Sequence, residues 1–219
     1  MTGLFVTLEG GDGVGKSTHA RRIEAWMRDR GIETVRTREP GGTELGAEIR
    51  QIVLHHRGHI DSRAEALLYA ADRAHHVATV VRPALERGAC VIQDRYIDSS
   101  VAYQGAGRDL GSDDVRALSE WATRELTPHL TVLLDLDVAE GRRRMLAGRS
   151  GLDRLEAETV AFHERVRHTF LGVAALEPER FLVVDASRPQ DEVAARIAER
   201  LETLLAAQRG QTSEGHASS

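Results

Sequence analysis

Gly10-Gly11-Asp12-Gly13-Val14-Gly15-Lys16-Ser17 is the stretch on which the fold turns. It fits G-x-x-x-x-G-K-[ST] in full, and its context fits as well. The apolar run Leu4-Phe5-Val6-Thr7-Leu8 before it reads as a buried strand. Lys16 to Arg30 after it reads as a helix, with Ala20, Ile23 and Met27 on one stripe and Gly31 as its stop. Between a strand and a helix, such glycines let backbone N–H groups turn inward around phosphate oxygens. The helix adds the positive end of its dipole. Gly10, Gly11, Asp12, Gly13, Val14, Gly15, Lys16, Ser17 and Thr18 are therefore read as a nucleotide-phosphate cradle. Lys16 is assigned to the β- and γ-phosphates and the Ser17 hydroxyl to Mg2+. Lys16 is also the single lysine among 29 lysines and arginines. A compact ammonium is kept where a planar guanidinium would fit poorly.

Working outward, short apolar runs alternate with helical patterns. Strands are expected at Thr34–Thr37, Ala89–Gln93, Thr131–Asp135 and Phe181–Val184. Helices are expected at Glu44–His55, from Ser62 with a Ser62/Glu65 capping box, at Asp113–Arg124 capped by Ser112, and at Val138–Leu146. Pro83 should kink or restart the Ser62 helix, which Gly88 ends. Two further helices follow from the Phe162/Val166/Phe170 spacing and from Pro189 onward. The expectation is an α/β, three-layer P-loop NTPase fold: a five-stranded parallel sheet flanked by helices, with a small lid. One domain spans 1–207, with the lid at about 142–154 and a disordered tail at 208–219.

Composition removes several classes. One cysteine, Cys90, excludes a disulfide framework or Cys-rich zinc site, and is read as a buried, inert thiol. No apolar run reaches the ~20 residues of a membrane span, and no signal sequence leads the chain, so a cytoplasmic protein without membrane partners is expected. The net charge of −5 gives no basic field for nucleic acid. The pairs His55-His56 and His75-His76 lack metal-ligand spacing and read as surface residues. Asp94 follows a strand end, where it either holds a Mg2+-bound water or merely shapes a turn. Arg95 either points at phosphate or makes a surface ion pair. Tyr69 and Tyr103 are equally readable as core aromatics or as ligand contacts.

The choice of reaction rests on further motifs. Glu9 to Thr18, Thr37-Arg38-Glu39-Pro40-Gly41-Gly42-Thr43, Tyr69 to Arg73, Asp94-Arg95-Tyr96, Ser99 to Gly105 and Leu152-Asp153-Arg154-Leu155-Glu156 occur in this order. In that order and spacing the chain resembles the thymidylate kinases, over roughly residues 3–207. The resemblance implies transfer of the ATP γ-phosphoryl group to dTMP, Mg-dependent, in dTTP biosynthesis, by a homodimer packed through helices. It implies that Tyr69 (Phe in most of the family) stacks on thymine, Arg73 bonds its polar edge, and Gln104 lies close by. Tyr103 would sit against the sugar, Asp12 would meet the 3′-hydroxyl, and Pro40 would pack near the base. Arg38 and Arg95 would belong with the acceptor phosphate, and Ser99 with the bound substrate. Gly13 stands where some members carry arginine, so the resemblance is to the type whose lid arginines replace it. Arg149 is the first choice, among Arg142, Arg143, Arg144 and Arg154. Lys16, Arg95, Arg149 and Asp12 form the expected catalytic set, with Ser17 and Asp94 toward metal. An ionised phosphate acceptor needs no general base. A kinase for another nucleotide or nucleoside, and a P-loop switch with little chemistry, are the competing readings.

Overall fold

The computed structural model describes residues 3–147 and 151–215, with side chains to residue 208. Five strands, β1 (Phe5–Glu9), β2 (Thr34–Arg38), β3 (Cys90–Asp94), β4 (Leu130–Asp135) and β5 (Phe181–Asp185), form one parallel sheet in the order β2-β3-β1-β4-β5. β1 is buried at every position, which its unbroken apolar run requires of a central strand covered on both faces. Register sets the phosphate loop beside the ends of β3 and β4: Leu8 pairs with Asp94 and Glu9 with Leu133.

On one face lie α1 (Lys16–Arg28) and α9 (Gln190–Gly215). Their Ile23, Met27, Ile197 and Leu201 pack on Val6, Leu8, Ile92 and Val132. The other face carries α2 (Glu44–His55), α3 (Ser62–His76), α4 (Arg82–Glu86), α5 (Ile97–Ser100), α6 (Ser112–Thr123) and α8 (Val160–Leu176). Here Phe5, Val91, Tyr96, Tyr103, Phe162 and Phe170 form a second core. α7 (Val138–Ala147) leaves β4 and leans on the phosphate loop.

Several local expectations are corrected. The cap of α3 is Asp61, whose Oδ1 accepts from the Arg63 and Ala64 amides, and Glu65 is turned wholly inward instead of closing a box with Ser62. α6 starts after Gly111 at φ 91° with no side-chain cap, so Ser112 is its first residue and not its cap. Pro83 offers no N–H to the turn before it, and the chain widens there into a π-helical stretch, Val77–Val81. The Arg82 amide reaches back five residues to Val77 O. A second π-helical stretch, Val101–Gly107, continues α5, and sequence periodicity does not show either one. The residues Val101 to Gly105 are buried all round, so no polar face marks a helical period. Of the histidine pairs, His76 is fully buried, held by Glu39 and Thr37, while its neighbour His75 is exposed. α9 continues through Gly215, past the expected domain end at 207.

Candidate active site

The loop between β1 and α1 closes as its motif requires. Gly10, Gly13 and Gly15 adopt φ of 127°, 75° and 97°, where L side chains are strained. Lys16 is 8% exposed and its Nζ donates to the carbonyls of Gly10 and Gly11, at 3.1 and 2.6 Å. Burial, and then Arg95, lower the Lys16 pKa from its ordinary value. Ser17 Oγ donates to Asp94 Oδ2 at 3.3 Å, while the buried Asp94 Oδ1 has no hydrogen-bond partner among the described residues. That orphaned oxygen beside a serine hydroxyl fits a hydrated magnesium ion, which keeps waters and takes few protein ligands.

β3 ends in a left-handed residue, Arg95, at φ 67°. Such a conformation costs a non-glycine residue on the order of 1–3 kcal/mol and persists only where neighbours hold it. Here Leu8 O accepts from the Arg95 amide, and the buried Glu9 carboxyl accepts from the Tyr96 amide at 2.7 Å and Ser99 Oγ at 2.5 Å. The turn throws the Arg95 guanidinium back over the phosphate loop. It donates to Gly10 O, Ser99 Oγ, Tyr103 Oη and, at 2.6 Å, Asp12 Oδ1. Partial burial opposes ionisation of Asp12, but Arg95 and Lys16 hold its carboxyl below the usual range.

Two spaces meet at this pair. An open crevice of about 770 Å³ is lined by Lys16, Ser17, Thr18, Arg38, Asp94 and Arg95. A narrower pocket of about 120 Å³ is lined by Pro40, Tyr69, Arg73, Ser99, Tyr103 and Gln104. Asp12 and Arg95 belong to both. Every expected acceptor residue therefore lies here, Arg38 on the crevice side and the others around the pocket. Tyr69 and Tyr103 are 7% and 4% exposed, so they are core aromatics and pocket wall at once. Arg73 is 2% exposed and fixed by Glu39 Oε2, Ser119 Oγ, Tyr96 O and Ser100 Oγ.

Sequence reading missed Glu39, Arg50, Glu65 and Glu156. Arg50 and Glu156 line both spaces, and Arg50 Nη1 donates to Pro40 O. Glu39 joins Arg73 to His76. The signal for Glu156 was present: Asp153 Oδ1 accepts from the Leu155 and Glu156 amides while Glu156 Oε2 accepts from the Asp153 amide, a reciprocal capping box. Glu39 lies in the Thr37–Thr43 segment and Glu65 has the spacing of a capping box with Ser62, but the partners that place Glu39, Arg50 and Glu65 lie 10 to 89 residues away, so no local pattern shows these roles.

The arginines beyond β4 divide. Arg143 and Arg144 bond Glu140, and Arg144 also reaches Ala186 O in the Asp185-Ala186-Ser187 loop. Arg142 lines a cavity between the phosphate loop, α7 and α8. Arg154 is an anchor, donating to Val53 O and Glu65 Oε2. Arg149 lies outside the described residues. Cys90 is fully buried and burial pushes its thiol up to about 12, as expected of an inert core cysteine. Among the described residues, no helix is long and apolar enough to cross a membrane.

A family model described as thymidylate kinase matches residues 8–197. The chain is 67% identical over 207 residues to the thymidylate kinase of Clavibacter michiganensis subsp. michiganensis, covering 94% of this chain and 98% of the relative. It is 67% identical over 200 residues to that of Leifsonia xyli subsp. xyli, covering 91% and 95%. The thymidylate kinase of Deinococcus radiodurans is 53% identical over 195 residues, covering 89% and 94%.

Proposed function

The chain belongs to the thymidylate kinase family and phosphorylates dTMP, and from that premise we propose how its residues divide the reaction. The observation that carries the proposal is the meeting of crevice and pocket at Arg95 and Asp12. A phosphoryl group handed from a nucleotide on the loop to one in the pocket must pass this guanidinium.

Lys16 and the loop amides of Gly10 to Thr18 hold the donor phosphates of ATP. Arg95 bridges the acceptor phosphate and the transferred group, neutralising charge as it spreads. Ser99 and Asp12 fix the Arg95 fork, and Arg38 and Arg50 add positive charge at the crevice wall. Tyr69, Arg73, Gln104 and Pro40 hold the base, and Tyr103 and Asp12 meet the sugar. Ser17 and Asp94 would hold Mg2+, which when bound neutralises the β- and γ-oxygens. Arg149 as a further catalytic arginine rests on the resemblance alone.

A homodimer goes with this reading. Leu67 on α3 and Trp121 on α6 are 57% and 81% exposed, on two helices packed side by side, and a second copy would cover them. Synthesis of dTTP in the cytoplasm is part of the same proposal and rests on the family. The test is turnover of ATP with Mg2+ against dTMP, dUMP, UMP, CMP, AMP and thymidine. Preference for dTMP is the expected result; equal rates across the panel would sink the assignment of acceptor residues.

A further inference from the structure

One fully buried carboxylate beside the acceptor pocket has no part in the roles above. Glu65, on α3, is 0% exposed. Its Oε1 accepts from Gln104 Nε2 at 2.9 Å and from Arg108 Nε at 3.3 Å, and its Oε2 accepts from Arg154 Nη2. Gln104 is itself 2% exposed and lines the pocket.

A primary amide has two unlike ends, an NH2 that only donates and a carbonyl that only accepts. A carboxylate flanked by two guanidinium groups only accepts. The Gln104 amide therefore has one orientation compatible with Glu65, NH2 toward the carboxylate. The opposite orientation would set oxygen against oxygen in a buried site, where an unmade hydrogen bond is costly. With Nε2 held by Glu65, Oε1 is the end left for the pocket. Arg73 contributes from the other side: its contacts with Glu39, Ser119, Tyr96 and Ser100 occupy four of its N–H groups, and a guanidinium has five. The pocket thus presents a donor from Arg73 and an acceptor from Gln104. A pyrimidine with a ring N–H beside a carbonyl matches that pair. One with a bare ring nitrogen beside an amino group opposes it at both positions.

We infer that Glu65 is a specificity-determining positioning residue: by fixing which end of the Gln104 amide faces the pocket, it selects an imide base edge over an aminopyrimidine edge. Glu65 touches no substrate and acts through Gln104. The inference rests on the pocket's being the acceptor site.

The test is kcat/KM for dUMP and dCMP, which share the sugar and phosphate, lack the methyl group, and differ at the base edge. Wild-type enzyme should favour dUMP strongly. Glu65→Gln offers Gln104 a neighbour that accepts or donates, so the amide is free to turn, and the dUMP/dCMP ratio should fall on the order of 10-fold or more. A merely structural role would lower both rates together and leave the ratio unchanged. Glu65→Asp keeps the charge but withdraws the carboxylate by one methylene, and should lower the ratio in the same direction; it decides the matter if Glu65→Gln does not fold. An undiminished ratio in the folded variants overturns the inference. Wild-type enzyme indifferent to dTMP would overturn the pocket assignment instead.

Discussion

Lys16 illustrates how much one residue type can matter in an arginine-rich chain. Its ammonium fits between two loop carbonyls at 8% exposure. An arginine there brings a planar fork and more volume to a site that seats a compact ammonium against two loop carbonyls. Lys16→Arg should lower kcat by about 10²-fold or more in a protein that still folds; near-normal turnover would remove the role assigned to the ammonium. Glu9 shows a different residue-scale effect. Burial, and then Asp98, push its carboxyl from 4.5 up to about 8, against the lowering influence of Ser99, Arg95 and the Tyr96 amide. Lys16 faces it from α1 as well. Unfolded chain loses this proton near 4.5 while folded protein keeps it to about 8. The stability it contributes is full below the lower value and is lost as pH rises toward the upper one. Wild-type Tm should fall relative to Glu9→Gln between about pH 5 and pH 9, by on the order of several degrees. Parallel Tm curves would show that Glu9 is not protonated in the fold.

At the scale of elements, the phosphate loop and α7 interlock through two glycines. A Cβ on Gly13 would lie 2.1 Å from Gly141 O, and a Cβ on Gly141 would lie 2.7 Å from Asp12 O. Both contacts are to backbone, so neither can relax by turning a side chain. α7 therefore occupies the space that a side chain at position 13 would need. Gly13→Ala should push α7 away and destabilise the fold by on the order of 1–3 kcal/mol, read from denaturant midpoints. The φ of 75° adds strain to the overlap. An unchanged midpoint, with unchanged kcat, would mean that the two elements are not tightly seated. Elements also show where sequence patterns stop. Glu44–His55 is read correctly to the residue, because Leu45, Ile49, Ile52 and Val53 supply period and Thr43 accepts from the Gly46 amide. The stretch Ile97–Gly107 is invisible, because burial on all sides erases the period.

At the scale of the molecule, the apolar residues left outside the two cores matter most. Leu67 and Trp121 stay exposed although the other large apolar side chains of α3 and α6, such as Tyr69 and Val115, are covered or half-covered. Leu67→Glu combined with Trp121→Glu should convert a dimer to monomer in light scattering, with the monomer still folded by circular dichroism. A wild-type mass equal to one 24.1 kDa chain would end the dimer proposal.

The sequence by itself determined the strand–loop–helix phosphate cradle and the parallel α/β architecture. These are local patterns, or motifs whose chemistry stays within a few adjacent residues. Only the tertiary structure decided which arginines face the two spaces and which are spent on structure, as Arg154 and Arg180 are, on Glu65 and Asp98. It alone showed Glu39, Glu65 and Glu9 as buried organisers of Arg73, Gln104 and Arg95. The physical reason is that a buried polar or charged group is stable only with a partner, and the partner is chosen by folding, not by spacing in the chain.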